Sequence, residues 1–363
     1  MNPTWFRLGA AAVTLLGIVG CIVGGLLNAE AFFRAWLCSY LFWLGVPLAG
    51  ITLVLVHDLS GGNWMGTARP ILNAAAATMP LASLAGIPAF VGLHALYDWT
   101  HPKESLSNLF YLNPTNFFIR YACYLVLWNV LAAFVVWGPR EGKLPIRPGL
   151  SWLSGLGLVA LAFSAGFGSI DWILSLEPKF WSAIFQYIQP ASWFNTGMAL
   201  VLLVVALAGW PALERRKHMA DLSQILLATT IFWGYVEFMQ FLIIWEENIK
   251  TEIHWYITRL HSPWLPAIYV SAGLGFMIPF FVLLWAPAKR SRAVVAVICG
   301  LILISRVANT WALVLPEFDS GTPLWLVFAA LFALGGAVML LFAFGLSALP
   351  RLSPRRVLRV DHA

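Results

Sequence analysis

Apolar residues run along this chain in long blocks, not in the strict alternation of strands or the narrow stripe of a surface helix. Ten blocks stand out, at about residues 6–27, 32–56, 70–97, 115–137, 150–173, 191–210, 222–246, 263–285, 292–315 and 323–348. Crossing a bilayer takes about 20 apolar residues of helix. Backbone groups in hydrocarbon must bond within their own segment, which leaves helices or closed barrels, and blocks of this length exclude the barrel. The pattern predicts an all-α integral membrane protein of about ten transmembrane helices, with residues 1–363 as one polytopic domain.

Composition agrees. The chain is 60% hydrophobic and 10% charged, with mean hydropathy +0.80, against about 25% charged residues in soluble domains. Met1–Leu27 reads as a first span, because its apolar run is too long for a signal peptide and no small-residue cleavage site follows. Fifteen of the 22 lysines and arginines fall at the two ends and in the even-numbered loops. Six (Arg34, Lys103, Arg120, Lys179, Lys250 and Arg259) fall on the other side, and Arg306 sits inside a span. By the positive-inside rule both termini are cytoplasmic. The sequence pI near 9.3 therefore reflects short basic loops and not a nucleic-acid partner. The basic tail 351–360 is expected against anionic lipid. Two outer loops, 177–189 and 249–264, are rich in aromatics, which predicts short amphipathic helices in the interface plane. Leu59–Trp64 reads as a tight turn, since it lacks the lysine and spacing of a phosphate loop.

The chain offers little for a metal or a covalently held group. Its four cysteines form no CxxC or CxxCH pair, which excludes the usual iron–sulfur and c-type haem patterns. His94 and His261 are at one depth, but no histidine pairs recur to suggest a b-type haem. Carboxylates and arginines carry the candidate chemistry. Glu237 lies just past the middle of the block Asp221–Glu247, about 22 Å from its start, and Arg306 lies about 20 Å into the ninth block. Charges at membrane depth are costly and face a bundle interior or a proton route. Equal depth predicts that the two share a bundle and pair, directly or through water. Trp233, Glu237, Gln240 and Ile244 share one helix face. Gln240 continues a polar stripe outward, with Tyr235 nearby but off that face. The stripe fits a proton relay or an ion-paired packing device. A second group gathers near the outer surface: His94, Asp98, Tyr111, Asn113, Arg120, Tyr124, Asp171, Arg259 and His261. Acids, bases and aromatics at one depth suit a quinone headgroup, and they equally suit interfacial solvation. His94, Asp171, Arg120, Arg259 and His261 are the quinone-site candidates; Asp171 is also a proton-path candidate.

The motifs HDLSGGNW followed by Arg69, YLNPTNFFIRYACYLVLW, GSIDWILSLEPKFWSAIFQY, FWGYVEFMQFLIIW and EIHWYITRLHSPW resemble, in that order, the F subunit of alternative complex III, a bacterial quinol:cytochrome c oxidoreductase. The resemblance covers about residues 40–310. The chain departs from the family's habit at Thr251, where a proline more often precedes the acid. The resemblance implies an NrfD-type (polysulfide-reductase) membrane fold, with two four-helix bundles, here 32–173 and 191–315, flanked by peripheral spans 6–27 and 323–348 respectively. It implies a bacterial cytoplasmic membrane, no cofactor on this chain beyond quinone or quinol, and haems and iron–sulfur clusters on partner subunits. The implied partners are a paralogous membrane subunit, a multihaem cytochrome and an iron–sulfur subunit. It also carries Asp171, Glu237 and Arg259 over as the family's polar positions. Two other readings stand beside it: a secondary transporter, and an anchor for periplasmic redox subunits without chemistry of its own.

Overall fold

The computed structural model describes residues 3–62, 64–65, 68–101, 108, 110–138, 151–207, 212–318 and 321–348, with the side chains of 3, 212–218 and 348 excepted. The basic loop with Arg140, Lys143 and Arg147, the side chains of Arg215, Arg216 and Lys217, and the tail after 348 lie outside the described residues. Of the described chain, 88% is helical and none is strand. Among the described residues, ten helical spans are long and apolar enough to cross a membrane: Thr4–Leu27, Ala29–Ser60, Arg69–Val91, Pro114–Trp137, Ser151–Leu176, Phe185–Leu207, Met219–Glu247, Leu265–Leu284, Arg292–Glu317 and Leu324–Ser347, numbered here spans 1 to 10. The protein is an all-α, multi-pass membrane protein.

Span 2 is the central post. The side chain of Asn28 caps its start by accepting the Ala31 N–H at 3.0 Å. Gly61 ends it at φ 63°, a conformation that glycine adopts at no steric cost, and its N–H bonds the His57 carbonyl at 2.8 Å. Most of span 2 is buried, which explains why its sequence is apolar on every side. Spans 3, 4 and 5 pack around it, span 6 joins it to spans 7 and 9, and span 8 packs against spans 7 and 9. Spans 1 and 10 run antiparallel against each other, with Arg7 of span 1 bonded to Ser347 near the end of span 10. Sequence order groups span 10 with the second bundle. It packs instead mainly on span 1, span 2 and the helix Arg69–Ala76, because the Trp43 indole bonds the Leu331 carbonyl at 2.9 Å and fits beside Gly335.

Two spans are broken. Span 3 divides into Arg69–Ala76, Met79–Ala85 and Ile87–Val91, since Pro80 and Pro88 have no N–H to continue a helix. Span 8 divides into Leu265–Ala272, a π-helical turn Gly273–Met277 and Ile278–Leu284. Pro279 cannot bond the Gly275 carbonyl four residues back and would clash with it, and the wider turn relieves both problems.

The face holding the start of span 1 and the end of span 10 is called the terminal face below. On the opposite face, 250–260 forms the expected short helix, with Trp255 and Arg259 buried. The other aromatic loop differs from expectation. Between 178 and 184 the chain is irregular, with single turns at Leu174–Leu176 and Phe185–Tyr187. Pro178 holds Glu177 extended. Phe180 and Phe185 turn inward onto the Trp255 ring, at centroid distances of 5.2 and 5.7 Å.

Candidate functional site

Span 7 carries Glu237 into the space between spans 8 and 9. One turn earlier on the same helix, Trp233 is buried, and the Arg306 guanidinium from span 9 lies 3.4 Å above its ring. Arg306 is fully buried; its Nε bonds Ser305 Oγ at 3.1 Å, while Nη1 and Nη2 have no protein partner. Span 8 leaves room for this head at its π turn, where a Cβ on Gly275 would overlap Arg306 Nη2 and Ser305 Oγ. The Glu237 carboxyl faces Arg306, Asn309 and Trp233. Its Oε1 is buried and unbonded, and no direct ion pair joins it to Arg306. The matched depth does bring the two charges into one bundle and within electrostatic reach, but not into contact.

The unbonded atoms form a set. Glu237 Oε1, both Arg306 Nη atoms, Asn309 Nδ2, Gln240 Nε2 and Trp233 Nε1 are all buried without a protein hydrogen bond of good geometry, although Asn309 and Trp233 stand close enough to the Glu237 carboxyl, and Gln240 to Tyr256, to interact. Such an atom, left bare, costs about 1–3 kcal/mol. Native proteins rarely tolerate several together, and ordered water is the partner buried polar groups then take.

The set extends in both directions along span 7. Ser223, Thr230 and Glu237 are spaced at seven residues, two helical turns, and share a face. From span 6, Asn195 Nδ2 donates to Thr229 Oγ1 and Thr230 Oγ1 at 3.0 and 3.1 Å, while Asn195 Oδ1 and Ser223 Oγ stay buried and unbonded. Toward the opposite face, Ser182 Oγ donates to Gln240 Oε1 at 2.6 Å. From Ser223 to Gln240 the helix rises about 25 Å, most of a bilayer core. Asn195, Ser223, Thr229, Thr230 and Asn309 were not among the sequence candidates; the seven-residue spacing was the available signal. Tyr235 is 56% exposed and points away from this stripe, so it leaves the set of proton-path residues.

The outer cluster separates into distinct places. Asp171 and Arg120 meet: Arg120 Nε reaches both carboxylate oxygens at 3.1 and 3.0 Å, and Nη2 reaches Oδ1 at 2.8 Å. Tyr124 donates its hydroxyl to Oδ2 at 2.8 Å, and Arg120 Nη1 bonds the Tyr111 carbonyl. Arg259 stands elsewhere. It bonds the carbonyls of Ala312 and Leu313 at the end of span 9, that of Trp255, and Glu317 at 2.7 Å. It thereby satisfies carbonyls that the end of span 9 leaves open. Burial pulls its pKa down, and Glu317 acts against that. His94 is exposed and stacks on His101 at 4.8 Å. His261 is exposed and bonds the Ile257 carbonyl at 2.9 Å. The five quinone-site candidates therefore do not converge; only Asp171 and Arg120 touch, and their charges are spent on each other. Beside them lies a mostly apolar cavity of about 360 Å³, lined by Tyr111, Ile170, Leu174 and Ser175 among others. The Tyr111 hydroxyl is buried beside the Asp171 carboxylate, and burial, reinforced by that charge, pushes its pKa well up.

His57 and Asp58 of the HDLSGGNW motif form a clasp with Arg69. Arg69 Nη2 pairs with Asp58 at 2.8 Å and Nη1 lies 3.3 Å from His57 Nδ1, while His57 Nε2 lies 3.2 Å from the Gly62 carbonyl. The motif ties span 2 to span 3 at the terminal face. Among the described residues no group of three or more His, Cys, Asp or Glu side chains could hold a metal.

No protein-family model matches the chain, and no curated protein matches it.

Proposed function

We propose that this chain is a membrane subunit of a quinol-oxidising respiratory complex of the alternative complex III type, and that Glu237 relays protons along span 7. The observation that carries the relay is the buried, unbonded set of Glu237, Arg306, Asn309, Gln240 and Trp233, continued by Thr230, Asn195 and Ser223. Spaced hydroxyls, amides and a carboxyl with water between them are what proton transfer requires. The carboxyl accepts a proton from one side and releases it to the other, with Arg306 as the fixed counter-charge. The assignment to the complex rests on the five motifs that resemble its F subunit. In this reading the terminal face is cytoplasmic, the membrane is the bacterial inner membrane, and the chain holds no redox centre. Haems and iron–sulfur clusters belong to a multihaem cytochrome and an iron–sulfur subunit, and the main quinol site to a paralogous membrane subunit. A quinone ring approaching this chain would enter the cavity beside Tyr111 and Ser175.

The test is Glu237→Gln in the assembled complex. Assembly with the haem subunits is expected to persist while proton translocation per electron, or turnover, falls. Wild-type values of both would remove Glu237 from the route. Loss of assembly would make the buried set a packing device. A second reading, secondary transport, is favoured by the broken spans 3 and 8, since interrupted helices line transporter sites. Purification without haem-bearing partners would favour it.

A further inference from the structure

A crevice of about 490 Å³ opens at the terminal face where the two groups of spans meet. Its walls are Leu53 and Val56 of span 2, Phe194 of span 6, and Ile225 and Ala228 of span 7. Its rim is polar, formed by Ser60, Trp64, Asp221 and Gln224. Ser60 ends span 2 and Asp221 lies in the first turn of span 7, so the rim is at headgroup level and the apolar walls run inward from it. On span 7 the distance from Asp221 to Ala228 is about 10 Å. Ser60, Gln224 and Ala228 are exposed, which leaves the crevice open to the surroundings.

Charge selects the occupant. The terminal face carries the excess of arginine and lysine, which elsewhere favours anionic lipid. Of the residues lining this crevice, however, Asp221 is the one that ionises. Among the described residues none gives it a hydrogen bond or an ion pair. An anionic headgroup would meet that carboxylate at close range, whereas an ammonium would pair with it. Trp64 stands at the rim, where indoles favour the headgroup zone.

We propose that this crevice is a binding site for a phospholipid with an ammonium-bearing headgroup: one acyl chain lies between spans 2, 6 and 7, and the ammonium sits against Asp221. Such a lipid fills the seam between the two groups of spans.

Native mass spectrometry of the purified full chain, with phosphatidylethanolamine and phosphatidylglycerol at equal mole fraction, tests the site. An interfacial ion pair supports a preference of about two- to five-fold for phosphatidylethanolamine. Asp221→Asn should abolish that preference, and Ala228→Trp should reduce retention of both lipids, while Val126→Trp on the exposed side of span 4 should not. Equal retention, or a preference for phosphatidylglycerol, in the wild type would overturn the headgroup assignment. Unchanged retention in Ala228→Trp would overturn the location. Should Ala228→Trp fail to fold, a phosphatidylethanolamine with a photoreactive acyl chain decides the location on the wild type. Labels on 53–56 and 225–228 support it, and labels confined to other segments refute it.

Discussion

Arg120 and Arg306 show how differently two arginines in one molecule can be used. Arg120 spends four bonds on Asp171 and the Tyr111 carbonyl, and its plane lies 3.8 Å from the Tyr111 ring. It holds span 4 to span 5. Arg306 spends one bond and keeps two nitrogens open. The contrast yields opposite expectations. Asp171→Ala strands a largely buried guanidinium, and removal of one partner of a buried pair costs roughly 3–5 kcal/mol. Thermal unfolding of the purified protein should show a large fall in stability, and Tyr124→Phe, which removes one bond to a charged group, a smaller one of about 1.5–3 kcal/mol. An Asp171→Ala protein as stable as the wild type would show that the clamp contributes nothing. Glu237→Gln removes no direct ion pair, so its stability should stay near that of the wild type. Both charges at membrane depth were legible in the sequence because a single Glu or Arg is an outlier in an apolar block. Asn195 and Thr229 were not, because lone amides and hydroxyls are common in such blocks and only their partners reveal them.

Span 8 shows what a helical element can hide. Its sequence is continuously apolar, so the chain pattern predicts one straight helix. The π turn Gly273–Met277 appears only when Pro279 is set against the carbonyl four residues before it. The turn and the absent side chain at Gly275 together make the space for the Arg306 head. Gly275→Ala should push the guanidinium from its place over Trp233. Arginine ends are flexible, but this one is enclosed on both sides, so overpacking should cost about 1–3 kcal/mol. In the reading above it should also lower proton translocation in the assembled complex. Gly273→Ala, in the same turn, meets nothing within 4 Å and serves as the control. Equal behaviour of the two variants would show that the space at Gly275 is not what positions Arg306. The outer loop 177–189 was also misread. Its aromatics looked like the apolar face of a helix, yet Phe180 and Phe185 are plugs over Trp255, and Pro178 breaks the backbone beside them.

At the scale of the whole molecule, the antiparallel pairing of spans 1 and 10 puts the start of the first and the end of the last on one face, as an even number of crossings requires. In the proposed function that face is cytoplasmic, the side the positive-inside rule favours for the basic loops. The assignment sets the direction of the proposed relay, since Ser223 lies toward the terminal face and Gln240 toward the other. Cysteine labelling in intact cells checks it. Ser60→Cys places a thiol on the terminal face and His261→Cys places one on the opposite face, both at exposed positions. Of the native cysteines, Cys21, Cys38 and Cys299 are buried, and Cys123 lies within span 4. A membrane-impermeant maleimide should react with His261→Cys in intact cells and with Ser60→Cys only after the membrane is opened. The reverse pattern would leave every packing contact as described and would invert the relay. Glu237 would then draw its protons from the periplasm along the Ser223–Thr230 half of the stripe, and the basic residues of the terminal face would have to be translocated against the rule that governs short loops.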